Sequence, residues 1–108
     1  MTTNIEDLPI VNNNERGRFE LEFQGHTAIL EYRVHGTNIL FPHTLVPRPI
    51  EGHGIAAYMS RHALEFARSN GYSVTPACPF VAAYIADNPE YADLVPAYLH
   101  RSYGIRPA

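Results

Sequence analysis

The sequence holds no lysine, a single cysteine, and no apolar run approaching the ~20 residues that a membrane-spanning helix requires. The last absence argues against a helical span. A lone thiol, Cys78, cannot form an internal disulfide, which fits a reducing cytosol. Without lysine, all eight basic residues are arginine, and the formal net charge is −3. That balance argues against a dedicated nucleic-acid binder, which would carry a basic patch, and no run of like charge marks a tail. The start, Met1 to Asp7, carries acids and lacks the apolar core of a secretory signal. No His/Cys spacing suits zinc, so no metal site is expected. No Ser-His-Asp arrangement and no paired carboxylates in an apolar setting stand out. The chain reads as soluble and cytoplasmic, with no nucleic-acid or membrane partner.

What is present fits one domain. A chain of 108 residues, 45% of them hydrophobic, can bury about 60–70% of its unfolded surface without a disulfide or metal. Residues 1–15 read as a flexible lead-in with a strand edge near Ile10-Val11, 16–100 as the domain, and 101–108 as a loose tail. From Arg18 to Phe23 apolar and charged residues alternate, the pattern of a half-buried strand. Gln24-Gly25 makes a turn. Thr27 to Val34 is a second strand with Ala28, Leu30, Tyr32 and Val34 on one face. After His35 to Asn38 comes a third, Ile39 to Val46, which Pro42 interrupts as an edge or bulge. Short turns make the three an antiparallel meander.

From Gly54 the period changes. Ile55, Met59, Ala63 and Phe66-Ala67 form one face of a helix about four turns long, stopped by Asn70-Gly71. Tyr72 to Thr75 is a short strand, parallel to its neighbour because a crossover helix precedes it. Pro79 suits the first position of a second helix, Phe80 to Ala86, with Cys78 at or beside its N-cap. The expected fold class is α/β: one mixed sheet, order β-β-β-α-β-α, with helices packed on it.

The stretch Glu51-Gly52-His53-Gly54-Ile55-Ala56 opens the long helix. Helix N-terminal N–H groups lack intrahelical acceptors and lie at the positive dipole end. Glycines let a ligand approach them, so the turn suits a phosphate. It lacks the lysine of a Walker loop and the third glycine of a dinucleotide fingerprint. Read alone, a Gly-x-Gly is equally an ordinary turn.

Several stretches together resemble the short YjdJ-type branch of the GNAT acyltransferases. They are His43-Thr44-Leu45-Val46-Pro47, Gly52 to Ala56, Ala63 to Arg68, Pro76-Ala77-Cys78-Pro79-Phe80 through Ile85, and Asn88-Pro89-Glu90-Tyr91 through Val95. The strands at Arg18 to Leu21 and Ala28 to Tyr32 fit as well. The resemblance spans roughly residues 18 to 95. It implies a minimal GNAT fold and acetyl-CoA as co-substrate, held by Val46, Glu51, Gly52, His53, Gly54, Ile55 and Ala56. The thioester would then lie near Cys78. The implied reaction is acetyl transfer to an amine, on a small molecule or a protein; the alternative is a non-catalytic acyl-CoA-binding or interaction module. The chain departs from the pattern in having Glu51 where Arg or Gln is usual, Leu45 where the branch has an acid, and Asn88 where it often has His.

Three residues are candidates for chemistry. Cys78 is either a structural thiol or a reactive one activated at a helix N-terminus, as nucleophile or as pocket lining. His43 is either a strand histidine bonded to a neighbour or a general base. Tyr91, in the matched Pro-Glu-Tyr element, is a candidate general acid or a packing residue, with Tyr84 as a second candidate acid. His53 either touches a phosphate or faces water.

Overall fold

A long hairpin with a break in the middle organises the molecule, as seen in a computed structural model that describes residues 4–106. The strands are β1 (Val11–Asn13), β2 (Arg18–Phe23), β3 (His26–Glu31), β4 (Arg33–His35), β5 (Asn38–Leu40), β6 (Thr44–Leu45) and β7 (Ser73–Thr75). The helices are α1 (Ile55–Ser69), α2 (Pro79–Asp87) and the short α3 (Ala97–His100). A mixed α/β fold with antiparallel and parallel pairing is therefore confirmed, and β7 runs parallel to β5.

The single sheet of the sequence reading is two sheets. One runs β1-β2-β3-β6 and the other β4-β5-β7. The expected second strand divides at Tyr32 and the third at Phe41 to His43. The cause lies in the register. Leu30 faces Thr44 and Arg33 faces Leu40, so Glu31 and Tyr32 on one arm span the same gap as Phe41, Pro42 and His43 on the other. That extra residue is a bulge, and bulges bend the strand that carries them. Pro42 has no N–H to give to a ladder, so the break falls where it costs least. Past the bend Val34 leaves the buried face it was expected to share with Leu30 and is 40% exposed.

Helix α1 forms because strong formers fill it and its apolar residues recur on one side. Ile55, Met59, Ala63, Leu64 and Ala67 are buried, together with Ser60. This face packs on β2, β3, β7 and α2. Under it lie Phe19, Leu21, Leu30, Ile39 and Phe41, all fully buried. Each such side chain contributes about 1.5–3 kcal/mol by leaving water. The hydroxyl of Ser60 has no hydrogen-bond partner among the described residues.

Ordered elements also occupy the stretches read as lead-in and tail. A 3-10 turn, Ile5–Asp7, precedes β1, and Ile5 is buried. The hydroxyl of Tyr58 on α1 lies 2.7 Å from the Leu8 carbonyl and 3.2 Å from that of Glu6, which ties the segment to the helix. At the other end a 3-10 turn, Arg101–Tyr103, follows α3, and Ile105 returns to the core. Too few apolar residues in these stretches show a period, so long-range contacts decided their place. Residues 1–3 and 107–108 lie outside the described part. No helix among the described residues is long and apolar enough to cross a membrane.

Candidate functional site

The two sheets part at Phe41. Its N–H still bonds to the Thr75 carbonyl at 3.0 Å, and its carbonyl accepts from Cys78 N–H at 2.7 Å. Beyond that point β6 turns back onto β3, while Pro76-Ala77 leads into α2. The edge of β6 away from β3 therefore has no strand partner among the described residues.

The turn into α1 sits over this divergence. It is slung between two buried anchors, Ile50 at the end of a 3-10 turn (Arg48–Ile50) and Ile55 at the start of the helix. Gly52 and Gly54 have φ of 85° and 77°, a region that side chains rarely adopt. A Cβ on either would meet nothing within 4 Å, so both face open space. Gly54 is the N-cap and offers no side-chain acceptor. The N–H groups of Ile55, Ala56 and Ala57 thus lack a partner among the described residues.

A cleft of about 370 Å³ opens in front of these donors, lined by Val46, Ile50, Glu51, Gly52, Gly54, Ile55, Ala56, Ala57 and Phe80. Its lining combines apolar side chains, Val46, Ile50, Ile55 and Phe80, with the backbone of the helix start. That chemistry suits an extended ligand with a thin apolar arm and a phosphate. The carboxylate of Glu51 is exposed at the donor end and opposes an anion there. Ile50 and Phe80 were missed in the sequence. Phe80 lies on the first turn of a second helix that starts with the usual Pro at N1, and the convergence of two helix starts was the available signal.

His53 turns to the other side, edge-on to Phe23 with ring centroids 5.0 Å apart. It lines a second cleft of about 430 Å³ with Asn4, Ile5, Glu6, Gly54, Ala57, Tyr58, Arg61 and Tyr84. Gly54 and Ala57 border both clefts.

The three candidates for chemistry have different surroundings. Cys78 is 1% exposed, and its Sγ lies 3.0 Å from the Thr44 hydroxyl, itself buried. The pair stitches the start of α2 to β6. His43 is exposed on the bulge, with its carbonyl accepting from Glu31 N–H at 2.8 Å. Tyr91 is 6% exposed beside α1, where its hydroxyl donates to the Glu65 carboxylate at 2.6 Å and its ring lies 5.9 Å from that of Tyr84. Burial, and then that hydrogen bond, push the phenol up to about 12. Arg68 completes the clasp, gripping Asp93 with two nitrogens at 2.9 and 3.0 Å and covering the Tyr91 ring. Tyr84, the second candidate acid, borders the second cleft, and burial raises its phenol as well.

Residues 18–94 match the family model described as GCN5-related N-acetyl-transferase. Among curated proteins the chain is similar to Protein NATD1 of Mus musculus, 28% identical over 97 residues, which is 87% of this chain and 84% of that protein. Protein NATD1 of Homo sapiens is also 28% identical over 97 residues, covering 87% and 81%. The Gallus gallus protein of that name is 27% identical over 95 residues, covering 85% and 82%.

Proposed function

The chain belongs to the GCN5-related N-acetyltransferase family, and from that premise we propose that it is an acetyl-CoA-dependent N-acetyltransferase acting on an amine. The observation that carries this reading is the uncapped start of α1, which lines a cleft together with the apolar side chains of Val46, Ile50 and Phe80. When bound, acetyl-CoA supplies a thioester carbon for an amine to attack. The chain's own residues do the rest. Ile55, Ala56 and Ala57 donate N–H groups to phosphate oxygens, aided by the helix dipole. Val46, Ile50 and Phe80 keep water from the pantetheine arm. The unpaired edge of β6 offers backbone groups to the amides of that arm. Glu51 weakens the phosphate end unless it turns to solvent. We place the activity in the cytoplasm, where the single free thiol stays reduced.

A second reading, an acyl-CoA-binding module without turnover, is favoured by one specific observation. Two of the side chains expected to carry chemistry are engaged elsewhere: Cys78, the candidate nucleophile, with Thr44, and Tyr91, a candidate acid, with Glu65.

The thermal midpoint with acetyl-CoA tests ligand binding. At a hundred times its dissociation constant the ligand adds about 2.7 kcal/mol, a rise of several degrees for a chain of this size. No rise at millimolar ligand overturns both readings. An amine panel then separates them, since one clear acetylated product sinks the binding module.

A further inference from the structure

The β1-β2-β3-β6 sheet has a second face, turned away from α1. Its side chains alternate with the buried Phe19, Leu21, Ala28, Leu30 and Thr44. One row across the strands is Val11, Glu20, Ile29 and Leu45. The face is open to solvent, with Val11 56% and Leu45 49% exposed. The next row is Asn13, Arg18 and Glu31, and the Glu31 N–H donates to the His43 carbonyl on the segment leading into β6. Both rows end on the strand whose far edge is unpaired, where the two sheets part. This inference rests on the acetyl-transfer reading above, in which the pantetheine arm runs along that edge. Helix α1 and its cleft occupy the inner side, so an acceptor reaches the thioester from the outer face.

Glu20 and Glu31 both stand on this face, but only one is satisfied. Arg18 turns along its own strand to Glu20 at 2.7 Å, and the Asn13 amide reaches the same carboxylate at 3.3 Å. Glu31 is half-buried and forms no ion pair among the described residues, neither with Arg18 across β2 nor with Arg33 past the bend. A partly desolvated carboxylate without a partner attracts a cation more strongly than one in water. Ile29 follows in the alternation two positions before Glu31, and Leu45 pairs with Ile29 across the ladder. Leu45 and Glu31 are thus diagonal neighbours, about 7–8 Å apart in such ladders. A ligand that meets both carries a positive charge on an apolar body.

We infer that the acceptor is a small primary amine with an apolar chain, its ammonium group held by Glu31 and its chain laid on Ile29 and Leu45. A peptide fits the face less well. Its own N–H and C=O groups need partners, and the one free strand edge is the edge that the pantetheine amides use.

Kinetics with acetyl-CoA and the n-alkylamines from propyl to hexyl test this, beside calorimetry of acetyl-CoA binding in each variant. Each added methylene raises kcat/KM about twofold, short of the roughly fourfold of full burial. Glu31→Gln raises the KM for hexylamine about tenfold, as one charge-assisted contact would give. It leaves kcat within about twofold and acetyl-CoA affinity unchanged. Leu45→Thr flattens the dependence on chain length. A flat series in the unaltered protein, an unchanged KM in Glu31→Gln, or faster acetylation of a tripeptide amide overturns the inference while the acetyl-transfer reading stands. Binding of acetyl-CoA with no alkylamine turned over also overturns it. No binding of acetyl-CoA overturns both.

Discussion

Compare the two ends of helix α1. At the C-terminal end the protein satisfies its own backbone. The Phe66 carbonyl accepts from both the backbone N–H and the side-chain amide of Asn70, that of Arg68 from Gly71, and that of Ala67 from Tyr72. This is the double turn-back that a left-handed glycine makes possible, with Gly71 at φ 71°. The clasp of Tyr91, Glu65, Arg68 and Asp93 packs beside it. At the N-terminal end, three N–H groups border an open cleft with neither a cap nor a partner among the described residues. Both ends use a glycine with positive φ, yet one glycine closes the backbone and the other exposes it. A positive-φ glycine therefore says nothing by itself about function. What the neighbouring backbone does with its donors and acceptors separates the two cases.

Three experiments break or sharpen this contrast. The largest effect is expected from Gly54→Ala, which sets a methyl group in the open cleft beside the donors. Affinity for coenzyme A, read by calorimetry, falls at least about a hundredfold. Gly36→Ala, in the hairpin turn at φ 60° with open space around it, carries a similar backbone penalty. It lowers the thermal midpoint to the same degree and leaves affinity alone. Equal affinity losses in the two variants would erase the contrast.

Gly71→Ala at the closed end is the mirror experiment. A Cβ there meets nothing within 4 Å, so the cost is backbone strain alone. Stability by denaturant titration falls by about 1–2 kcal/mol, and coenzyme A binds as before once the protein is folded.

The smallest effect is silent at neutral pH. Among the seven tyrosines, Tyr91 is expected to titrate last, with a pKa of about 12. Its folded value exceeds the ordinary 10, so its contribution to stability is complete below pH 10 and is lost as pH rises through 12. Phenolate absorbance during a base titration reads this, and Tyr91→Phe removes the last phase. If Tyr91 titrates with the exposed tyrosines, the clasp at the closed end is not formed.

Much of the scaffold was legible in the sequence. Arg18–Phe23 and Ile55–Ser69 matched their periods almost to the residue, because a strand or helix with one buried face writes that face into its spacing. Pro79 after Cys78 marked the start of α2 for a local reason, a fixed φ and a missing donor. Pro42 marked an interruption, but not that the hairpin would divide between two sheets there, since that depends on the other arm offering two residues against three.

The site was legible in part. The turn from Glu51 to Ala56 showed itself by its glycines and the helix behind it, both local signals. Phe80 and Ile50 reach the cleft by the packing of separate elements, which leaves no periodic trace. Cys78, His43 and Tyr91 carry side chains capable of chemistry, and residue type is all that a sequence displays. Their partners, Thr44 for the thiol and Glu65 for the phenol, lie 34 and 26 positions away along the chain. The sequence by itself determined which segments are strands and helices and where a helix would begin without a cap, because those depend on neighbours within a few residues. Only the tertiary structure decided that two sheets part at Phe41, that the parting leaves the helix donors facing a cleft, and that an N-terminal segment walls a second cleft beside it. Those outcomes follow from which distant surfaces bury one another, and burial is a property of the whole chain.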